Sequence, residues 1–136
     1  MATGFVHTYG PYALVAGGSY GLGAAFAEAI ARRGVNLVII ARNENQLTAT
    51  ADRLRATYGV DVIAVVADMA DFEDVSAQLG RLEVAIGLLV YDAAHAPIGR
   101  FEDVPEHQLA QAVSVNVRTP LLLAQLLSGP LIERGR

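Results

Sequence analysis

Four apolar runs rich in strand-forming residues, Tyr12–Ala16, Asn36–Ala41, Val60–Ala67 and Ala85–Tyr91, begin at residues 12, 36, 60 and 85. A repeat of that length holds one strand and one crossover helix. The runs are continuous rather than alternating, as expected for strands covered by helices on both faces of a parallel sheet. The chain therefore reads βαβαβαβα, an α/β fold.

The intervening segments carry helix signals. From Leu22 to Arg33, Leu22, Phe26, Ala29 and Ile30 share a face, Glu28 and Arg32 pair at i,i+4, and Gly34 is a natural stop. From about Asn45 to Tyr58, Leu47, Ala51, Leu54 and Tyr58 align before Gly59. A third helix is expected to start at Asp71 as cap, with Glu73 and Asp74 in the positive first turn; this accounts for the acidic run better than a metal or catalytic cluster does. The fourth opens with Pro105 at its first position and runs towards Glu133. Residues 1–10 read as a short irregular arm, because Gly4, Gly10 and Pro11 interrupt any pattern.

Composition removes whole classes of chemistry. All ten basic residues of the 136 are arginines, and there is no cysteine. Without lysine there is no Walker-type phosphate loop and no Schiff-base chemistry; without cysteine there is no thiolate nucleophile, disulfide or Cys-ligated metal. His7, His95 and His107 are too scattered to suggest a metal site. A net charge of −4 argues against nucleic acid as a partner. No stretch approaches the roughly 20 apolar residues of a membrane span, and no basic residue precedes Arg32 to open a secretory signal. One domain in the cytoplasm, without a membrane partner, is the expectation; a chain this long buries about two-thirds of its unfolded surface.

The first strand runs into Ala16-Gly17-Gly18-Ser19-Tyr20-Gly21-Leu22-Gly23, inside which a helix begins. Gly17 suits a tight turn, Gly21 a close backbone approach to phosphate, and Gly23 close packing of helix on strand. The helix start adds free N–H groups and a positive dipole end for an anion. Here the sequence resembles the short-chain dehydrogenase/reductase family, whose fingerprint is Thr-Gly-x-x-x-Gly-x-Gly. Gly17, Gly21 and Gly23 match it, and Ala16 replaces the threonine. Another dinucleotide-binding or doubly wound fold that uses its glycines only for packing is the alternative.

The resemblance implies a Rossmann-type doubly wound sheet of order 3-2-1-4 and a bound dinucleotide, with Ser19, Tyr20 and Leu22 joining the three glycines around it. Arg42, ending strand two, stands where the adenosine ribose should lie. An acidic residue there would take the 2′-hydroxyl of NAD, whereas arginine pairs with a 2′-phosphate and favours NADP, with Ser19 adding a hydroxyl. The competing reading of Arg42 is a solvated charge at a helix start, and nearby Glu44 could neutralise it or reach the ribose. Asp68, with the Met69 backbone beside it, follows strand three, from which family members touch adenine; alternatively it satisfies a turn N–H. Asp92, Ala93 and Ala94 follow Tyr91 where the family usually has Asn-Asn-Ala-Gly. Asp92 loses an amide donor, and Ala94 adds a methyl where the cofactor approaches.

Asn116 shares a helical face with Leu109, Val113, Val117 and Pro120, and a polar residue on such a stripe needs a partner. Pro120 lacks the N–H that the Asn116 carbonyl would accept, so a bend is expected there. By resemblance Asn116 matches the family's relay asparagine, which serves a Tyr-x-x-x-Lys motif and a serine. A lysine-free chain cannot contain that motif. The resemblance covers Pro11 to Arg136 and the first half of the family's usual length. The chain is accordingly expected to be the NADP(H)-binding half of such an oxidoreductase, cut after four strands and inactive alone. The alternatives are a non-catalytic nucleotide-binding or interaction module and a truncated fragment. Strand four and the leucine-rich last helix (Leu121, Leu122, Leu123, Leu126 and Leu127) are candidate homo-oligomer surfaces.

Overall fold

A computed structural model describes the backbone of residues 2–135 and the side chains of residues 4–135. Met1 of the expected arm and Arg136 of the expected final turn lie outside the described residues. In chain order the elements are α1 (Ala2–Tyr9), β1 (Tyr12–Ala16), α2 (Gly21–Ala31), β2 (Asn36–Ala41), α3 (Glu44–Tyr58), β3 (Val62–Val66), α4 (Phe72–Gly80), β4 (Ile86–Tyr91), α5 (Glu106–Val113) and α6 (Thr119–Glu133). A 3-10 turn, Phe101–Asp103, precedes α5, and a π-helical turn, Ser114–Arg118, joins α5 to α6.

The strands form one parallel sheet of order β3-β2-β1-β4, the topology expected from the sequence. The strand period of two divides the apolar runs between two cores. On one face Ala13, Val15, Leu37 and Ile39 pack with Ala27 and Ile30 of α2 and Leu47, Ala51 and Leu54 of α3. On the other, Leu14, Ala16, Val38, Ile40 and Val65 pack with Val75 of α4, Val115 of the π turn and Leu123 of α6. The strand order reverses at β1, so the crevice beyond its C-terminal end is the ligand position characteristic of such sheets.

Several boundaries shift for identifiable reasons. Residues 2–9 form α1 rather than an irregular arm: Phe5 and Val6 pack on the first core, the guanidinium of Arg33 lies 5.4 Å from the Phe5 ring, and the Gly10 N–H bonds to the Val6 carbonyl at 2.8 Å. Tertiary packing outweighs the breaker residues: Gly4 sits inside the helix, and Gly10 and Pro11 follow its end. The buried face of α2 is Gly23, Ala27, Ile30 and Ala31, whereas Leu22 and Phe26 are exposed. Close contact of Gly23 with the preceding loop sets this rotation. Pro105 precedes the first residue of α5 in extended conformation rather than starting the helix. The expected helix starts at Asp71 and stops at Gly59 hold: the Asp71 carboxylate accepts from the Asp74 N–H at 3.0 Å, and Gly59 adopts φ +66°.

The helix bend expected at Pro120 takes the form of the π turn, with a consequence for register. The Thr119 N–H donates to the Ser114 carbonyl, one residue further back than in an α-helix. The residue that would next serve the Val115 carbonyl in this register is Pro120, which has no N–H. Sequence reading assigned the missing donor to Asn116, the α-register position; the π turn extends the loss to Val115. The inserted residue also turns Val113 and Val117 outward, so the inward line is Val115, Thr119 and Leu123 rather than the stripe through Asn116.

Candidate functional site

A cleft of about 640 Å³ opens at the C-terminal ends of β1, β2, β3 and β4, lined by Gly17, Ser19, Tyr20, Gly21, Leu22, Arg42, Asp68, Met69, Asp92, Ala93 and Ala94 among others. These are sequence-predicted positions from four separate segments. Of the predicted set, Gly23 and Asn116 are not among the lining residues, Gly23 being buried and Asn116 exposed.

The loop after β1 is fixed from below by the Gly17 N–H, which donates to the Ile40 carbonyl at 2.8 Å. Gly17 has φ +82°, and a side chain there would begin 2.8 Å from the Ala93 nitrogen. At Gly23 a side chain would begin 2.0 Å from the Gly17 carbonyl oxygen, so α2 can approach the loop this closely only without one. Tyr20, extended and exposed, precedes α2 without a side-chain cap, which leaves the first-turn amides to the cleft.

On the β2 side, Ser19 is buried, its carbonyl accepts from the Thr50 hydroxyl at 2.8 Å, and its own hydroxyl lies 3.4 Å from Gln46 Oε1. Arg42 is exposed on the rim and forms no ion pair among the described residues, with Glu44 or otherwise. Asn43 and Gln46 also line the cleft, although neither was singled out from sequence. Their signal was available: Asn43 caps α3 by accepting from the Gln46 N–H at 3.0 Å, a cap followed three residues later by glutamine.

Asp68 does close its own turn, accepting from the Ala70 N–H at 2.8 Å, while it also borders the cleft. Met69 is buried and its carbonyl accepts from the Thr119 hydroxyl at 2.6 Å, which ties this wall to α6. Beyond β4, the Asp92 N–H donates to the Ala16 carbonyl at 2.9 Å, and its carboxylate reaches to 3.2 Å from where a Gly23 side chain would start. An acidic group thus sits against the glycine loop.

The wall beyond Ala94 is held by Asn116. Its Oδ1 accepts from the His95 N–H at 2.9 Å and its Nδ2 donates to the His95 carbonyl at 2.8 Å, so one carboxamide satisfies both backbone groups of His95. This is the partner that a polar residue in a helix bend requires. Tyr91 donates its hydroxyl to the Val115 carbonyl at 2.5 Å, filling the acceptor left by the π turn. Burial pushes the Tyr91 phenol up to about 12. His95, Gln111 and Val115 also line the cleft. No group of three or more His, Cys, Asp or Glu side chains able to hold a metal occurs among the described residues, and none of their helices is long and apolar enough to cross a membrane.

Comparison with known proteins places this geometry in a family setting. A model of the short chain dehydrogenase family matches residues 11–136. The inactive hydroxysteroid dehydrogenase-like protein 1 of Mus musculus is 32% identical over 135 residues, covering 96% of this chain and 41% of that protein. A short-chain dehydrogenase from Sphingobium yanoikuyae, solved in complex with NADPH, is 36% identical with a TM-score of 0.85, covering 92% of this chain and 50% of that one. L-Sorbose reductase from Gluconobacter frateurii, complexed with NADPH and L-sorbose, is 28% identical with a TM-score of 0.83, covering 93% and 49%. The chain thus spans half or less of the length of these proteins.

Proposed function

The chain belongs to the short-chain dehydrogenase family, and from that premise we propose that its cleft binds NADP(H), these 136 residues forming the cofactor-binding portion of an oxidoreductase. The whole enzyme would exchange hydride between NADP(H) and a carbonyl or alcohol. The observation that carries the reading is the Gly17–Gly23 contact, which leaves room for no side chain between loop and helix and opens the first-turn amides of α2 to the cleft.

In this reading Gly17, Ser19, Tyr20, Gly21, Leu22 and Gly23 form the diphosphate cradle, through backbone N–H groups and the helix dipole. Asp68 and the Met69 backbone border the adenine, and Asp92, Ala93 and Ala94 the nicotinamide riboside. Arg42, with Ser19 beside it, takes the 2′-phosphate; its lack of an ion-pair partner among the described residues and the NADPH bound by two similar structures support NADP over NAD. The nicotinamide ring supplies hydride donor or acceptor chemistry, while the protein orients it and excludes water.

The 136 residues taken alone bind cofactor without turning it over. They contain no lysine, so no Tyr-x-x-x-Lys pair is available to move the substrate proton, and Asn116 has no relay partner. The test is a fluorescence titration with NADPH beside a carbonyl-reduction assay. Saturable binding without turnover supports the reading; absence of binding contradicts it.

A second reading, a module that associates with another chain or with its own copy, draws on a different observation. The outer edge of β4, Ile86–Tyr91, carries no charge and is mostly half-buried, and Leu121, Leu126 and Ile132 are exposed on α6. Sedimentation as a concentration-independent monomer contradicts that association.

A further inference from the structure

Among the described residues, one buried side-chain nitrogen or oxygen lacks a hydrogen-bond partner: Nε2 of His95. Native structures leave few such atoms, since a buried polar group without a partner is destabilising. This one belongs to a residue lining the cleft described above, together with Asp92, Gln111 and Val115. His95 is half-buried rather than a core residue. Its backbone is fixed on both sides by the Asn116 carboxamide, so the freedom left to it is rotation of the imidazole about its side-chain bonds.

Resting on the dinucleotide reading above, we propose that His95 is a ligand-contacting residue of the cleft, its imidazole turning to hydrogen-bond the nicotinamide riboside end of the bound dinucleotide. A neutral imidazole offers one donor and one acceptor, and so do a ribose hydroxyl and a carboxamide, so the pairing works in either tautomer. In that reading the diphosphate is served by the backbone amides of the glycine loop, which leaves the riboside as the part of the ligand with unmet hydrogen-bonding groups near His95.

The test uses two ligands on the isotope-labelled chain: NADP+, and adenosine 2′,5′-bisphosphate, which lacks the nicotinamide riboside. Both should move the backbone amide signals of Gly17 and Gly21, but only NADP+ should move the imidazole nitrogen signals of His95. His95→Ala should weaken NADP+ about 3- to 10-fold, leave adenosine 2′,5′-bisphosphate unchanged and not lower Tm. His95→Gln, which retains a donor and an acceptor, should recover part of the loss. Equal imidazole responses to both ligands, or a silent His95 while the glycine amides respond, would overturn the proposal and leave the dinucleotide reading standing. Silent glycine amides with both ligands would overturn that reading and this inference with it.

Discussion

The hydroxyl of Tyr91, at the end of β4, donates to the carbonyl of Val115 in the π turn at 2.5 Å. Thr119 spends its N–H on Ser114, and Pro120 has none to give, so without Tyr91 the Val115 carbonyl would lack a donor. Tyr91→Phe should therefore destabilise the protein by about 1–2 kcal/mol, read from urea unfolding. Pro120→Ala offers a competing N–H, and in that background the Tyr91→Phe cost should shrink. Equal costs in both backgrounds would show the two residues to be uncoupled.

The same phenol gives a pH signature. Its value is raised from 10.0 to about 12 by burial, so folding favours the neutral form. The stability this contributes is complete below about pH 10 and is lost as pH rises towards 12. A phenolate absorbance step near pH 12 should disappear in Tyr91→Phe. Tyr12, hydrogen-bonded to Asp61, is also held protonated above its ordinary range and should persist as a separate late step in that variant.

Gly23 and Gly21 should respond differently to alanine. At Gly23 the new carbon would lie 2.0 Å from a backbone oxygen, so Gly23→Ala should cost about 1–3 kcal/mol or more and disrupt the cleft. At Gly21 nothing lies within 4 Å, but φ is +62°, so Gly21→Ala should cost about 1 kcal/mol from backbone strain and leave the fold intact. Thermal unfolding of the two variants checks the order.

Asn116 should act as a clamp on the wall of the cleft. Asn116→Ala frees both backbone groups of His95 and should cost about 0.5–1.5 kcal/mol. Its sharper readout is hydrogen exchange, which should quicken at the His95 amide and not in β1.

How far these relationships could be read from the residues depended on the kind of interaction. The sheet order followed from the family resemblance, whereas the glycine loop and the Asp71 and Gly59 helix boundaries were legible because each rests on local chemistry. The buried face of α2 was misread, because Leu22 and Phe26 look like core residues until the Gly17–Gly23 contact fixes the rotation of the helix. The helix at residues 2–9 depends on packing of Phe5 and Val6 against distant strands, which no local pattern reveals. Pro120 announced a bend, but the π turn that moves the inward line to Val115 and Thr119 arises from how the helix meets β4. Asn43 and Gln46 carried a local helix-start signal, but that they and the loop residue His95 line the cleft follows from topology.

Binding at this cleft is tested most directly by calorimetric titration of the chain with NADPH and NADH, repeated for Arg42→Ala. A 1:1 complex with NADPH at least about 10-fold tighter than with NADH is expected, with Arg42→Ala removing most of the difference by its effect on NADPH alone. Tighter binding of NADH, or heat from neither ligand, would contradict it.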